Sequence, residues 1–127
     1  MHLKGFERLI KNKEKVEGLY GYWPSFHDAE IISINAIRSN AGENTTAKVI
    51  VELNYWNTKT VNEGTAEFNY VKENDSIITL EFCDVWNFET EGFNHQNVID
   101  QLNINSIGSG LEVEFESIFG AYIKLTC

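Results

Sequence analysis

Two histidines and their neighbouring carboxylates are the residues of this sequence that could carry acid–base or metal chemistry. His27 is followed directly by Asp28 in the segment WPSFHDAEI, and His95 lies in the polar segment NHQN. In a loop, Asp28 could orient His27 as a general base. A His–His–carboxylate metal site would combine His27 with His95 and with either Asp84 or Glu30. One hypothesis for the function is therefore a small metal- or ligand-binding enzyme centred on His27, Asp28 and His95.

The same histidine–aspartate pair also fits a structural role at a junction between a loop and a strand, and we favour that interpretation. Adjacent side chains of a strand point to opposite faces, so His27 and Asp28 would not converge inside a strand. The Pro-Ser-Phe-His-Asp stretch supplies turn formers and acceptors for backbone N–H groups. The long separation from His95 matches no metal-binding motif. We therefore expect His27 and Asp28 to hydrogen-bond mainly to protein groups and not to line an open cleft together.

Four consecutive hydrogen-bonding side chains form a second polar cluster: Asn94, His95, Gln96 and Asn97. Asparagine side chains readily close turns and cap neighbouring elements by bonding to the backbone. We therefore expect this cluster to form a turn, with a recognition loop as the alternative.

Glutamates at the polar positions of alternating segments form a third candidate site: Glu52, Glu67, Glu81, Glu112, Glu114 and Glu116. If these segments share one sheet with one buried face, the carboxylates gather on the opposite face. That face could simply be solvated, or it could dock a basic protein, because complementary charge accelerates association and fixes register. Two carboxylates flanking a cleft could also hydrolyse glycosides, but the sequence indicates neither unequal environments nor a concave site.

The charge balance narrows the classes of partner. The 127-residue chain carries 19 acidic and 10 basic side chains, a net charge of −9, and its first 15 residues are locally basic. The acidic remainder disfavours nucleic-acid binding and favours a basic partner. We expect a cytoplasmic protein without membrane contact, since no apolar run approaches the ~20 residues of a membrane span. Cys83 and Cys127 are expected to be free thiols, and no cofactor motif is present.

Hydrophobic periodicity predicts the elements that position these residues. An amphipathic helix over residues 2–16, ended by glycines 18 and 21, is predicted by apolar residues three or four apart: Leu3, Phe6, Leu9, Ile10 and Val16. Period-two alternation predicts about six half-buried strands: AEIISINAI, AKVIVELNYW, TAEFNYVKE, SIITLEFCDVWNF, LEVEF and AYIKLTC. The segment NHQNVIDQLNI fits either a helical turn or a short strand.

The predicted fold is α+β, in one domain over residues 1–127. The N-terminal helix packs on a twisted, mostly antiparallel sheet of about six strands. Turn-forming residues separate the strands in the segments SNAGEN, WNTKTVNEG, KEND and NSIGSG. In the first strand, the pattern places Ile32, Ile34 and Ala36 on the buried face. In SIITLEFCDVWNF it places Trp86 there as well, and aromatic residues near strand ends are expected to be partly exposed.

Three segments together resemble the bacterial immunity protein 50 family: WPSFHDAEI, GFNHQNVI and FESIFGAYIKLTC. The resemblance covers roughly residues 20–127 and includes the order and approximate spacing of the segments. Its most specific part is the run Trp23, Ser25, Phe26, His27, Asp28, Ala29 and Glu30.

The resemblance implies a non-enzymatic protein of a polymorphic toxin system, which binds and neutralises a toxin delivered by neighbouring cells. It implies no catalytic residues. The family-motif positions, expected to shape the fold, are Trp23, Phe26, His27, Asp28, Asn94 and Asn97. Contact with the toxin is then expected from an acidic and aromatic surface, formed by the six glutamates above and by exposed aromatic residues, because an immunity protein must discriminate one toxin from its relatives.

Overall fold

The computed structural model describes residues 10–38 and 45–127, and within these ranges the chain forms one α-helix and seven β-strands. The helix α1 spans Lys13–Tyr20. The strands are β1 (Glu30–Arg38), β2 (Ala47–Val61), β3 (Asn69–Phe82), β4 (Asn87–Glu91), β5 (Val98–Ile107), β6 (Gly110–Phe119) and β7 (Tyr122–Thr126). The predicted antiparallel sheet with a helix is confirmed, but the predicted number of strands is wrong.

The described helix differs from the one predicted over residues 2–16. It has 8 residues, it runs through Gly18, and it ends at Tyr20 with Gly21 as a left-handed cap whose N–H bonds to the Glu17 carbonyl. Its buried residue is Tyr20, and Val16 packs against the edge of the core. The predicted positions Leu3, Phe6 and Leu9 and the predicted turn SNAGEN (residues 39–44) lie outside the described residues.

The described strands form one antiparallel sheet in the order β3-β2-β1-β5-β6-β7-β4. Its two halves meet at a short junction, where β1 pairs with β5 only at Glu30 and Val98 and the preceding loop adds further backbone bonds to β5. Phe82 of β3 and Phe115 of β6 meet edge to face, with ring centroids 6.0 Å apart. Because these strands are not neighbours in the sheet, the contact shows that the sheet curves around its own buried face.

The core lies inside this curve and is built by alternate residues of the strands. The alternation predicted for AKVIVELNYW is confirmed, since its residues Val49, Val51, Leu53 and Tyr55 share the buried face and none is more than 9% exposed. The opposite side of the core is formed by the inward residues of β5, β6 and β7: Ile99, Leu102, Ile104, Val113, Phe115, Ile123 and Leu125. No helix in the described part of the chain is long and apolar enough to cross a membrane.

Two predicted strands merge into one long strand, β3. The predicted turn KEND is wrong, because β3 runs through residues 72–75, and the predicted turn WNTKTVNEG is right only at residues 62–64, because β2 continues to Val61. The pairing tolerates Asn74, whose φ is 57°, through an irregularity of register opposite Tyr55 and Asn57. β2 pairs with β1 only as far as Asn54. Residues 56–74 therefore form a two-stranded extension without buried residues, which we call the arm.

The remaining strand errors have local causes. The predicted strand SIITLEFCDVWNF breaks at residues 83–86, where Asp84 has a φ of 55° and the N–H of Val85 bonds to the carbonyl of Ala47. Trp86 is consequently 72% exposed and not in the core. β4 begins after this break, and the ambiguous segment NHQNVIDQLNI contains most of the strand β5.

A bulge changes the phase of β1. The register slips between Ile31 and Ser33, so Ile31 is 1% exposed while Ile32 is 48% exposed. The predicted buried face of this strand is therefore wrong at Ile32. It is right at Ile34, which packs against the core, and wrong again at Ala36, which is exposed near the end of the strand.

Candidate functional site

His27 lies between two carboxylates. Its Nδ1 is 3.3 Å from Asp28 Oδ2, and its Nε2 is 3.4 Å from Asp100 Oδ1 on β5. Both ring nitrogens thus face acidic groups that belong to the protein. All three side chains are more than half exposed, at 58%, 60% and 51%. Exposed pairs of this kind contribute little to stability.

A tight turn brings His27 and Asp28 together. The N–H of Ala29 donates to the carbonyl of Phe26 at 3.0 Å, with His27 and Asp28 as the central residues. Asp28 has a φ of 67°, as the third position of a type II turn requires, and Phe26 also has a positive φ, of 60°. Adjacent side chains converge here because the pair is in a turn and not in a strand.

The buried ring of Phe26 stabilises this unusual backbone. Phe26 is fully buried and makes edge-to-face contacts with Trp23, at 5.6 Å, and with Tyr55, at 5.1 Å between ring centroids. Bulky residues rarely adopt positive φ, so the packing must offset the local strain. The family-motif residues Trp23 and Phe26 therefore anchor the turn that presents His27 and Asp28.

The turn forms one wall of an open groove of about 520 Å³, and the base of the arm forms the other. We call it the arm-base groove; its lining residues are Tyr22, Ser25, His27, Asp28, Tyr55, Trp56, Asn57, Thr58 and Glu73. The expectation that His27 and Asp28 would not line an open cleft is wrong. They contact protein groups, but the loop leaves both accessible.

Tyr55 forms the buried floor of the arm-base groove. Its pKa is raised to about 12, chiefly by burial, then by its hydrogen bond with Tyr22 and the nearby Tyr20 and Asp28. The phenol therefore stays protonated at physiological pH and serves as a hydrogen-bonding group.

The metal site of the enzyme hypothesis is not formed by the described residues. His27 is paired with Asp28 and Asp100, while His95 does not line the groove. In the described ranges, no three or more His, Cys, Asp or Glu side chains are grouped as they would need to be to hold a metal ion. Glu30 and Asp84 accordingly do not complete a ligand set with His27 and His95.

Asn97 connects three parts of the backbone. Its Oδ1 accepts from the N–H of Asn94, at 2.8 Å, and of Ala121, at 3.1 Å. Its Nδ2 donates to the carbonyls of Asn94, at 2.7 Å, and Ile31, at 3.4 Å. The side chain is 3% exposed. A Cβ at Gly120, whose φ is 74°, would overlap Asn97 and the carbonyl of Gln96, so this junction also requires a glycine.

Asn94 closes the turn before Asn97. Its Nδ2 donates to the carbonyl of Gly92 at 2.9 Å, and its Oδ1 accepts from the N–H of Gln96 at 2.9 Å. Asn94, His95 and Gln96 are exposed, in contrast to Asn97. The polar cluster thus forms a turn, as the sequence indicates, with its outer side chains at the surface.

Three of the six candidate glutamates lie in a row on the outer face of β6. Glu112, Glu114 and Glu116 alternate with the buried Val113 and Phe115. Two outward glutamates of the edge strand β4 join this row, because Glu89 pairs with Lys124 and Glu91 pairs with Tyr122 on the intervening β7. We call the five residues Glu89, Glu91, Glu112, Glu114 and Glu116 the acidic face.

The acidic face acts on the hydroxyl of Tyr122 and raises its pKa. It donates to Glu114 Oε2 at 2.7 Å. The pKa of Tyr122 is raised to about 12, first by this hydrogen bond, then by loss of hydration and by the charges of Glu114, Glu89 and Glu112. Lys124 is the basic side chain on the same face, opposite both Glu89 and Glu114. The glutamates thus outnumber their basic neighbour.

The other three candidate glutamates do not join the acidic face. Glu52 and Glu81 lie on the outer face of β2 and β3, which the strands β1 and β5 separate from β6. Glu52 accepts from Ser33 Oγ at 2.8 Å, and Glu81 pairs with Lys48 at 2.9 Å. Lys48 lowers the pKa of Glu81 by hydrogen bonding and charge. Glu67 lies in the turn at the tip of the arm, so its predicted strand position is wrong.

Sequence reasoning missed Glu89, Tyr122, Asp100 and Glu73 as site residues. The alternation Asn-Phe-Glu-Thr-Glu at residues 87–91 was a usable signal for Glu89, since it places both glutamates opposite Phe88. Asp100 and Glu73 carry no such signal, because each reaches its site through the curvature of the sheet or the arm.

Comparison with known families gives one assignment. The model of the family described as immunity protein 50 matches residues 12–127. Comparison with curated proteins and with solved structures gave no match. The family match includes the turn at His27, the Asn97 junction and the strands of the acidic face, and confirms the resemblance seen in the sequence. The chain therefore belongs to the immunity protein 50 family.

Proposed function

We propose that this protein binds the toxin domain of a polymorphic toxin system and neutralises it in the cytoplasm. Membership of the immunity protein 50 family is the observation that carries this proposal. An immunity protein acts by stoichiometric binding, so it needs an exposed recognition surface and no catalytic residues of its own. It would block the active site of the toxin or the access of its substrate.

The acidic face is the surface that we propose for the first contact with the toxin. Five glutamates on β6 and β4, the two strands that flank β7, lie on the outside of the sheet, and the whole chain carries a net charge of −9. A basic toxin would be attracted to this field over a distance of about one Debye length, ~8 Å at physiological ionic strength. If the toxin is a nuclease, the carboxylates would occupy positions that nucleic-acid phosphates normally take.

We also propose contacts with the toxin at three further glutamates, which are secondary to the acidic face: Glu52, Glu67 and Glu81. Glu52 and Glu81 are already bonded to Ser33 and Lys48, and contact with a toxin would have to compete with those bonds. Glu67 is fully accessible at the tip of the arm.

Binding kinetics with the toxin domain encoded in the neighbouring reading frame test this proposal. We expect a tight 1:1 complex, rescue of growth on co-expression, and association that slows as ionic strength rises. The triple variant Glu112→Lys, Glu114→Lys and Glu116→Lys should slow association by about tenfold or more, since steering dominates the association rate of charged partners.

A control variant separates the effect of charge on the acidic face from the effect of net charge on the association rate. Glu14→Lys and Glu17→Lys together change the net charge as much as Glu112→Lys and Glu114→Lys together, but they lie on α1. If these two double variants slow association equally, the acidic face is not the contact. If the wild-type protein neither binds nor protects, the proposed function is wrong.

A further inference from the structure

We infer that the arm-base groove receives an arginine side chain of the toxin, an inference that rests on the proposed function. The groove is separate from the acidic face, because it lies between the His27 turn and the base of the arm, and none of its lining residues lies on β4, β6 or β7. It would supply a specific anchor, while the acidic face supplies attraction over distance.

Charge favours a cation in the groove. Asp28 and Glu73 contribute carboxylates from opposite walls. His27 is the basic residue among the described lining residues, and it is flanked by Asp28 and by Asp100. Carboxylates that approach one side chain from two walls suit the planar guanidinium group, which has five N–H donors.

Aromatic rings in the groove favour the same ligand. Tyr22, which is 55% exposed, lies on the side of the groove that the His27 turn forms. Trp56 lies on the side that the base of the arm forms. Lys72 Nζ already lies 3.9 Å from the centroid of the Trp56 ring, so an entering guanidinium group would stack on Tyr22 or replace this ammonium group on Trp56. A guanidinium group stacks on aromatic faces more readily than an ammonium group, because it is planar and more weakly hydrated.

The groove is held in shape by the backbone around it. The hydroxyl of Tyr20, at the end of α1, lies 3.2 Å from the carbonyl oxygen of Tyr55 and 3.0 Å from that of Asn74. Asn74 Nδ2 donates in turn to the carbonyl of Leu19 at 3.0 Å. These bonds fix the base of the arm, and the buried Phe26 fixes the opposite wall. A preformed groove loses less entropy when a side chain enters.

The surroundings of the groove indicate a protein partner. The arm beside it exposes Phe68, at 44%, and Tyr70, at 63%, with their rings 5.3 Å apart. This pair lies toward the tip of the arm, and exposed aromatic residues are enriched at protein interfaces, where aromatic residues and arginine dominate the binding energy. The partner that fits is therefore a basic protein surface with a protruding arginine.

Titration with short peptides tests the groove without the toxin. The probes are acetyl-Gly-Arg-Gly-amide, its lysine analogue and its uncharged citrulline analogue, monitored by ¹H–¹⁵N NMR. We expect the arginine peptide to shift the Trp56 indole resonance and the amides of Tyr22, Asp28 and Glu73, with an affinity at least threefold above that of the lysine peptide. The citrulline peptide should leave these signals unchanged.

Conservative variants identify the carboxylates. Asp28→Asn keeps a residue that tolerates the positive φ of 67°, and Glu73→Gln keeps the size of the side chain. Each should reduce the peptide-induced shifts at least threefold, whereas Glu63→Gln, at the tip of the same arm, should not. Equal shifts with arginine and citrulline, equal affinity for lysine, or shifts confined to the acidic face would overturn the inference.

The toxin complex gives an independent result. The double variant Asp28→Asn, Glu73→Gln should bind the toxin domain about tenfold more weakly, mainly through faster dissociation. If the double variant binds the toxin as tightly as the wild type, the groove inference is wrong and the proposed function stands. If the wild-type protein does not bind the toxin, the proposed function is wrong, and the peptide titration alone decides the chemistry of the groove.

Discussion

At the scale of single residues, Asn97 is a buried polar side chain whose hydrogen bonds join three segments of the backbone. It is 3% exposed, and it bonds to backbone groups of residues 31, 94 and 121. Asn97→Ala would leave the buried N–H of Ala121, the partly buried N–H of Asn94 and two carbonyls short of a partner, each at a cost of about 1–3 kcal/mol when not rehydrated. We expect a loss of about 2–4 kcal/mol in the free energy of unfolding, measured by urea denaturation.

The control for Asn97 is Asn105→Ala, at an exposed position on the outer face of β5. That change should alter the free energy of unfolding by less than about 0.5 kcal/mol, as is usual for surface positions. Equal effects of the two substitutions would show that the Asn97 hydrogen bonds are not a major source of stability.

Tyr55 makes stability depend on pH in the alkaline range. Burial, Tyr22 and Asp28 raise its pKa in the folded protein to about 12, above the value of about 10 for an unfolded chain. The folded state thus retains a proton that the unfolded state loses. Its contribution to stability is complete below pH ~10 and is lost as the pH rises toward ~12. We expect the free energy of unfolding to fall across this window.

Replacement of single tyrosines shows which of them causes the pH dependence of the free energy of unfolding. Tyr55→Phe should flatten the decline between pH 10 and 12, while Tyr20 and Tyr122, whose pKa values are also raised, maintain part of it. Tyr70→Phe, at a position 63% exposed, should not change the slope. An unchanged slope for Tyr55→Phe, measured by urea denaturation at each pH, would contradict the assignment.

Residue types predicted some roles and not others. The turn-forming asparagines at 94 and 97 could be recognised because their side chains bond to nearby backbone groups, a local property. The approach of Asp100 to His27, and the position of Glu73 on the groove that Asp28 also lines, could not be recognised, because both depend on the path of distant strands. Local chemistry can be read from the sequence, whereas pairs that belong to different elements require the fold.

At the scale of elements, the arm depends on the end of α1. Residues 56–74 are paired only between β2 and β3, and a hairpin without further packing is marginally stable in water. The Tyr20 hydroxyl bonds to the arm base at Tyr55 and Asn74. Tyr20→Phe should therefore increase hydrogen exchange several-fold for amides of the arm, at a cost of about 1 kcal/mol.

Hydrogen exchange in other regions of the sheet shows whether the effect of Tyr20→Phe is confined to the arm. Exchange in β6 and β7 should change less than in the arm, because the hydrogen bonds that Tyr20→Phe removes go to the base of the arm. Tyr70→Phe, within the arm itself, serves as the control. Uniformly faster exchange throughout the sheet would show global destabilisation and not local release of the arm.

Period-two alternation located most of the strands, because one face of each strand must be buried. The alternation failed where the backbone departs from regular pairing: the bulge at Ile32, the left-handed residue Asn74 and the break at Asp84. Asparagine and aspartate signal a turn in the sequence, but here Asn74 is accommodated inside a strand. Alternation also cannot reveal that two segments continue as one strand.

At the scale of the whole molecule, the two halves of the sheet share one core although few backbone bonds join them. β1 and β5 pair at one position, whereas Phe82 and Phe115 pack across the interior, and the N–H of Val85 bonds to the start of β2. Neither half could bury its apolar face without the other. We therefore propose that they form one domain and expect a single cooperative unfolding transition, with equal calorimetric and van't Hoff enthalpies.

Tryptophan fluorescence can follow each half separately. Trp56 lies on β2 and Trp86 lies beside β4, so variants in which Trp23 and one of these two tryptophans are replaced by phenylalanine report on opposite halves. Both should show the same midpoint of unfolding. Phe115→Ala, which removes a fully buried ring from β6, should lower the free energy of unfolding by about 3–5 kcal/mol and shift both midpoints together. If the Trp56 midpoint did not move, the halves would be independent, because the shared core would not transmit the loss.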